Sequence, residues 1–256
     1  MATPRVLVLR APGANCDGET QFAFESAGAI AERVHLQRLR ENPALLNQYQ
    51  ILVVPGGFTY GDDVAAGKIL ANQLTSFLSD ALRQFRAKEK LILGICNGFQ
   101  TLLKAGLILP SDDDGPVATL AHNTHGRFED RWIHLEANPG KSIFLRGIKR
   151  LYLPIAHGEG NFVCREPWIL QGLVQAGQVV LKYCDGDGNP GTFPVNPNGS
   201  FGHVAGVCDV SGHVLGLMPH PERHVLSTQH PQWTRLGLAG EGEGLKLFRN
   251  AVEYFN

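Results

Sequence analysis

A cysteine held between two glycines is the residue of this sequence best placed to act as a nucleophile. In Leu91-Ile92-Leu93-Gly94-Ile95-Cys96-Asn97-Gly98-Phe99-Gln100 the apolar run Leu91–Ile95 predicts a short buried strand. Cys96 falls at the break, and the apolar positions around Leu102 and Leu103 predict a helix beyond it. This is the cysteine form, G-x-C-x-G, of the strand–nucleophile–helix elbow. Gly94 and Gly98 lack a Cβ, so strand and helix can close around a strained residue. The helix N-terminus offers unpaired N–H groups and partial positive charge, which favour thiolate over thiol. A buried structural cysteine at a strand end accounts for the same residues equally well, so the rest of the chain has to decide.

A thiol nucleophile needs a base, and the base needs an orienting group. Both stand in Met218-Pro219-His220-Pro221-Glu222-Arg223. The run Val214–Met218 predicts another strand, which puts His220 just past its C-terminal end. Each proline biases the residue before it towards extended backbone. Residues two apart in an extended segment point the same way, so His220 and Glu222 share a face and the carboxylate holds the imidazole. A stiff turn is the alternative reading, and with ten histidines in the chain chance proximity is common. The third part is Ile51-Leu52-Val53-Val54-Pro55-Gly56-Gly57-Phe58, a buried strand running into a proline and two glycines. Its backbone N–H groups can face a developing oxyanion without side-chain obstruction, and the N–H of Asn97 completes the hole. An ordinary Gly-Gly turn reads the same. All three parts fall at predicted strand ends, where open α/β sheets place their sites.

The elements that carry these parts alternate. Strand runs at Val6–Leu9, Ile51–Val54, Leu91–Ile95 and Val214–Met218, with helical patterns at Glu19–Ala27, Ala65–Phe85 and Leu245–Phe255, predict an α/β fold with a mostly parallel sheet and helices on both faces. Residues 115–135, 150–165 and 175–215 read as shorter strands and loops that extend the sheet or form an antiparallel flap. No repeat or low-complexity linker interrupts the chain, which is expected to form a single domain over 1–256.

Composition excludes several classes of function. At 256 residues, 43% hydrophobic and 18% charged, the chain is able to bury a full core. Its net charge of −1 gives no electrostatic footprint for nucleic acid or an anionic membrane. No apolar run approaches the ~18 residues of a membrane span, and the start is too short an apolar run for a secretory signal. Five cysteines without a C-x-x-C argue against a disulfide framework or zinc ribbon. The expected compartment is reducing and cytoplasmic.

With these parts the chain resembles the class I, triad-type glutamine amidotransferases, and within them the glutaminase subunits of phosphoribosylformylglycinamidine synthase in purine biosynthesis. The resemblance runs through APGANCD at 11–17, PGGFTYGDD at 55–63, LGICNGFQ at 93–100, RFEDRW at 127–132, PIAHGEGNF at 154–162, MPHPER at 218–223 and GLKLF at 244–248. The elbow and P-H-P-E are shared by the whole class; the other segments belong to this branch. It implies a flavodoxin-like open sheet with Cys96 as nucleophile, His220 as its base and Glu222 as the orienting carboxylate. Gly56, Gly57, Asn97 and Gln100 are the implied oxyanion and substrate-binding residues. The implied reaction hydrolyses glutamine to glutamate and ammonia through a cysteine thioester. Ammonia then passes to an ATP-dependent PurL-type synthetase that converts formylglycinamide ribonucleotide (FGAR) to its amidine (FGAM), with or without a small PurS-type accessory subunit. ATP and Mg²⁺ are expected on the synthetase, with no cofactor or metal on this chain, which has no Walker A motif. The chain is longer than compact members of the branch near 110–120 and in Val225–Gly240, the latter read as a partner-docking insertion. Two other readings stay open: the glutaminase of another amidotransferase complex, or a stand-alone cysteine hydrolase of the DJ-1-like kind, which normally places a histidine where Asn97 stands.

Other conspicuous residues read as structural. Cys16 is a rival nucleophile, but no elbow surrounds it and the adjacent Asp17 is expected to raise its pKa. Asp185-Gly186-Asp187-Gly188-Asn189 begins like a calcium loop, yet Pro190 and Asn196 occupy the positions that need glycine and glutamate, so a turn is expected. His122 and His125 lack a second ligand pair and are expected to face solvent. The loop Pro154–Phe162, with His157 and Glu159 between glycines, reads as shaped backbone near the site or a partner face. Gly240-Glu241-Gly242-Glu243-Gly244 reads as a loop into the last helix, and the sequon at Asn198 is idle in a cytoplasmic protein.

Overall fold

Strand and helix alternate along the chain in a computed structural model that describes residues 3–256. The strands are β1 (Arg5–Arg10), β2 (Ile30–His35), β3 (Ile51–Val54), β4 (Leu91–Ile95), β5 (Ala118–Ala121), β6 (Glu129–Ala137), β7 (Arg150–His157), β8 (Asn161–Cys164), β9 (Val179–Cys184), β10 (Val204–Cys208) and β11 (Val214–Leu217). The helices are α1 (Asp17–Ser26), α2 (Leu36–Glu41), α3 (Lys68–Ala87), α4 (Asn97–Lys104), α5 (Pro167–Gln175), α6 (Trp233–Leu236) and α7 (Leu245–Glu253).

The main sheet has nine strands in the order β2-β1-β3-β4-β11-β10-β9-β6-β7. Its half from β2 to β11 is wholly parallel, with Val54 opposite Gly94 and Leu217 opposite Ile95. This is the parallel core expected from the apolar runs, in the flavodoxin-like order that the resemblance implies. Every residue of β3, β4 and β11 is buried, because helices cover both faces. From β11 onwards all pairings are antiparallel. The segments read as an extension or a flap do both: β6, β7, β9 and β10 prolong the sheet, whereas β5 and β8 form a separate antiparallel pair.

Helix α3 buries Leu70, Leu74, Leu78, Leu82 and Phe85 along one stripe, the spacing of an amphipathic helix. It starts at Lys68 rather than Ala65, because Gly67 is left-handed and Tyr60, Gly61 and Asp62 also have positive φ. On the other face α1 and α7 pack through Phe24 and Phe248, whose rings meet edge-on at 4.9 Å. Sequence patterning does not reveal β2: Ile30-Ala31-Glu32-Arg33-Val34-His35 is an edge strand with charged outward positions and no apolar run.

Candidate active site

Cys96 sits where β4 passes into α4, with φ 50° and ψ −106°. Few L-residues adopt positive φ, and such strain typically costs ~1–3 kcal/mol that the surroundings must offset. Here the Cys96 N–H donates to Leu217 O at 2.8 Å and its carbonyl accepts from the Gln100 N–H at 3.1 Å, fixing the residue from both sides. The elbow requires its glycines. A Cβ on Gly98 would fall 1.8 Å from Val54 O, and one on Gly94 would fall 2.8 Å from Gly98 O. The thiol is 5% exposed and lies 3.7 Å from Ala156 O.

His220 follows β11 and is buried, as is Glu222. Its Nδ1 is 2.6 Å from Glu222 Oε1, while its Nε2 has no hydrogen-bond partner among the described residues. The expected pairing forms, though by different backbone: Pro221–Arg223 is a 3₁₀ turn closed by Arg223 N–H to His220 O, not an extended segment. Proline fixes φ but not the ψ that follows, so the turn remained available. Burial of the imidazole disfavours its charge. The Glu222 carboxylate, with the neighbouring Cys96 and Cys16 sulfurs, outweighs that, and the His220 pKa stands well above its ordinary value.

Gly57 has φ 136° and lies against Asn15 and Gly13, where a Cβ would approach backbone atoms at 2.7 Å. Among the described residues neither the Gly57 nor the Asn97 N–H donates a hydrogen bond. The Asn97 side chain is occupied elsewhere. Its Oδ1 accepts from Thr59 Oγ1 at 2.5 Å, and its Nδ2 donates to Asp62 Oδ1 and Gln100 Oε1, tying the turn after Gly57 to the elbow. Gly56 packs edge-on to the imidazole, where a Cβ would stand 2.9 Å from Cε1. It makes room for the base and is not in the cavity wall.

Cys96, Gln100 and Gly57 open into one cavity of about 230 Å³, closed by Phe58, Asp62, Ala66, His122, Phe128 and the segment 156–159. A hollow of about 490 Å³ between Lys104 and Cys164 is larger, but Cys96 lines only the smaller cavity, and His220 lines neither. Gln100 donates to Glu159 O, and the Ala66 N–H donates to Glu159 Oε2 at 3.2 Å. The loop read as lying near the site is thus its wall. Burial raises the Asp62 pKa against the opposing hydrogen bonds of Asn97 and Gly67. Burial holds His157 neutral, with a pKa of about 3, and its Nδ1 lies 3.2 Å from Asn123 Oδ1. Sequence reasoning missed Asp62, Phe58 and Phe128 as wall residues. His122 is solvent-facing as expected, and it also rims the cavity 3.8 Å from Glu159.

Two further expectations need correcting or completing. The Cys16 pKa is raised, but by burial and not by Asp17; the Asp17 carboxylate turns away to Arg10 at 3.5 Å and Arg33 at 3.7 Å. The Cys16 thiol nonetheless lies close to His220 and Glu222, receiving a hydrogen bond from Arg223 Nη2 at 3.2 Å, outside the cavity wall. At Asp185 the carboxylate accepts from the Asp187 and Asn189 N–H groups, which makes the loop an Asx turn.

Comparison with known proteins adds an independent line. A family model described as the CobB/CobQ-like glutamine amidotransferase domain matches residues 3–255. The phosphoribosylformylglycinamidine synthase subunit PurQ of Dehalococcoides mccartyi is 46% identical over 99% of this chain and 98% of that protein. PurQ of Methanococcus maripaludis is 43% identical over 99% and 98%. A chain in the structure of PurLQS from Thermotoga maritima superimposes with a TM-score of 0.76 at 30% identity, covering 100% of both chains. The glutaminase domain of Trypanosoma brucei CTPS with bound acivicin shares the fold, at 14% identity and a TM-score of 0.57.

Proposed function

Because the chain belongs to the CobB/CobQ-like glutamine amidotransferase family, we propose that it is the glutaminase subunit of phosphoribosylformylglycinamidine synthase and that Cys96, His220 and Glu222 are its catalytic residues. The observation that carries the assignment of residues is the buried His220–Glu222 pair, 2.6 Å apart, beside a strained cysteine at a helix N-terminus. The Cys96 thiolate attacks the γ-carbonyl carbon of glutamine, and the free N–H groups of Gly57 and Asn97 stabilise the resulting oxyanion. The His220 imidazolium protonates the departing ammonia as the tetrahedral species collapses to the γ-glutamyl thioester. The ring, now neutral, takes a proton from water, which attacks the thioester and releases glutamate and the thiolate. Glu222 holds the ring and stabilises its charge throughout. Gln100, at the cavity wall, is assigned to substrate binding; Gly56 serves by giving the imidazole space.

Ammonia passes to a PurL-type synthetase, which turns FGAR into FGAM; ATP and Mg²⁺ act there and not on this chain. The similarity to a chain of PurLQS supports this partnership and a PurS-type third subunit. No described helix is long and apolar enough to cross a membrane, and the five cysteines are unpaired, in keeping with action in a reducing cytoplasm. The insertion Val225–Gly240 exposes Leu226, Trp233 and Leu236, which suits it to docking the partner.

The test is Cys96→Ser in the reconstituted complex. An alcohol of pKa ~15 is a far poorer nucleophile than a thiolate, so glutamine-dependent FGAM formation is lost while ammonia-dependent formation persists. A glutamyl label trapped on Cys16 in the wild type would overturn the assignment.

A further inference from the structure

A cleft of about 450 Å³ lies between the ends of β1 and β2 and the start of α2, lined by Arg10, Arg33, His35 and Arg38 over the loop Ala11–Ala14. Three guanidinium groups converge there in a chain whose net charge is −1. Asp17 lies 3.5 Å from Arg10 and 3.7 Å from Arg33, while Glu32, which feels the charge of Arg38, is paired with Arg5. Arg38 has no carboxylate in salt-bridge contact among the described residues, and His35 Nδ1 accepts from the Gln37 N–H, leaving Nε2 free to donate. The cleft therefore carries an excess of positive charge and planar donors suited to carboxylates.

The floor of the cleft is tied to the oxyanion loop. Gly13 O accepts from the Phe58 N–H at 2.9 Å, Pro12 O from the Tyr60 N–H at 2.8 Å, and Gly56 O from the Cys16 N–H at 3.3 Å. Ala14 pairs across to Gly57 in an isolated antiparallel bridge. A Cβ on Gly13 would fall 2.0 Å from Phe58 O, so the two backbones interlock without slack. Whatever moves the loop 11–14 moves the Gly57 N–H. The cleft also opens at the right end of the molecule. Arg10 and His35 end β1 and β2, which run parallel to β4, so they lie at the same end of the sheet as Cys96.

We propose that this arginine cleft receives an acidic segment of the synthetase chain and that its occupancy sets the oxyanion loop for catalysis. The proposal rests on the glutaminase reading above and specifies how that site is regulated. The side chains of Arg10 and Arg33 are 57% and 42% exposed, and His35 and Arg38 are exposed as well. That makes it a surface for the carboxylates of a protein partner and not an enclosed pocket for a small ligand. A partner that covers the Cys96 cavity reaches the cleft at the same end of the sheet. A bound carboxylate row draws the three arginines together and fixes the loop beneath them.

The experiment titrates wild-type and variant chains with the synthetase and measures steady-state glutamate release. Arg38→Glu is the primary variant because it breaks no internal ion pair; Arg33→Gln is the second and keeps the proposal testable should the reversal unfold the chain. Both should retain the hydrolysis rate of the lone chain. Half-maximal activation should need at least about tenfold more synthetase for Arg38→Glu at low salt, with the difference shrinking as salt screens the charges. Variants that titrate like the wild type at low salt would overturn the proposal. So would activation of the lone wild-type chain by inorganic pyrophosphate, which would make the cleft a small-anion site. A wild-type complex that works with ammonia but never with glutamine would instead remove the glutaminase reading, and the two failures are read by different assays.

Discussion

Replacing Glu222 with glutamine keeps the shape of the orienting group and removes its charge. In the wild type the carboxylate oxygen is 2.6 Å from His220 Nδ1, and both residues are buried. Unit charges about 4 Å apart at an effective dielectric of about 20 attract by about 4 kcal/mol. Burial of the ring opposes its charge, and the carboxylate is the leading group that outweighs it. In Glu222→Gln burial prevails. The imidazole then loses its proton below its ordinary pKa of about 6.5, and Cys96 loses the cation that favours its thiolate. Cys96 should therefore be alkylated more slowly than in the wild type at neutral pH. The assay is the pH dependence of Cys96 carbamidomethylation, read by peptide mass to separate it from Cys16, beside glutamate release over the same range. We expect kcat/KM at neutral pH to fall by ~10²-fold or more. His220→Ala should cost more, because proton transfer is lost as well as orientation. Identical alkylation profiles in wild type and Glu222→Gln, or a smaller loss for His220→Ala, would refute the reasoning.

Two further perturbations follow from the site's surroundings. His157 is held neutral by burial, with its pKa lowered to about 3. Between about pH 6.5 and 3 the unfolded chain binds a proton there that the folded chain does not, so stability should fall with pH by about 1.4 kcal/mol per unit. His157→Gln should flatten that slope in urea titrations made between pH 6.5 and 5; an unchanged slope would show that other groups carry it. Gly57→Ala places a Cβ 2.7 Å from the Asn15 N and Gly13 O atoms at a φ of 136°. It should cost ~1–3 kcal/mol of backbone strain, displace the loop and depress glutamate release, while a Cys96 that reacts normally with iodoacetamide would show that the elbow itself is intact.

Some of this architecture was legible in the residues alone. The elbow at Cys96 is a short-range device. An apolar run makes a strand, glycines permit the close approach, and the next residues start a helix; all of it acts within a few residues of the thiol. The parallel half of the sheet was legible for the same reason, since β3, β4 and β11 are buried on both faces and read as unbroken apolar runs. P-H-P-E announced a pairing of imidazole and carboxylate but not its backbone, because proline constrains φ and leaves the choice between extended chain and 3₁₀ turn to the packing around it. Edge strand β2 gave no apolar signal, as one of its sides faces solvent.

What required the tertiary structure is whatever depends on separate segments meeting. Asp62, Phe58 and Phe128 carry no motif; they become cavity wall only because Asn97 ties the turn at 59–62 to the elbow and because β6 and β7 bring the segments 122–129 and 156–159 together. Cys16 was set aside as a rival nucleophile because of Asp17, yet folding turns that carboxylate towards Arg10 and Arg33 and sets the thiol beside Arg223 and His220. The arginine cleft is likewise assembled from β1, β2 and α2 and has no signature in any one of them. Local preferences decide which backbone each segment adopts. Charges and side chains from distant segments acquire their pKa values and their partners only when the sheet order places them within a few ångströms, where burial and Coulomb attraction become large.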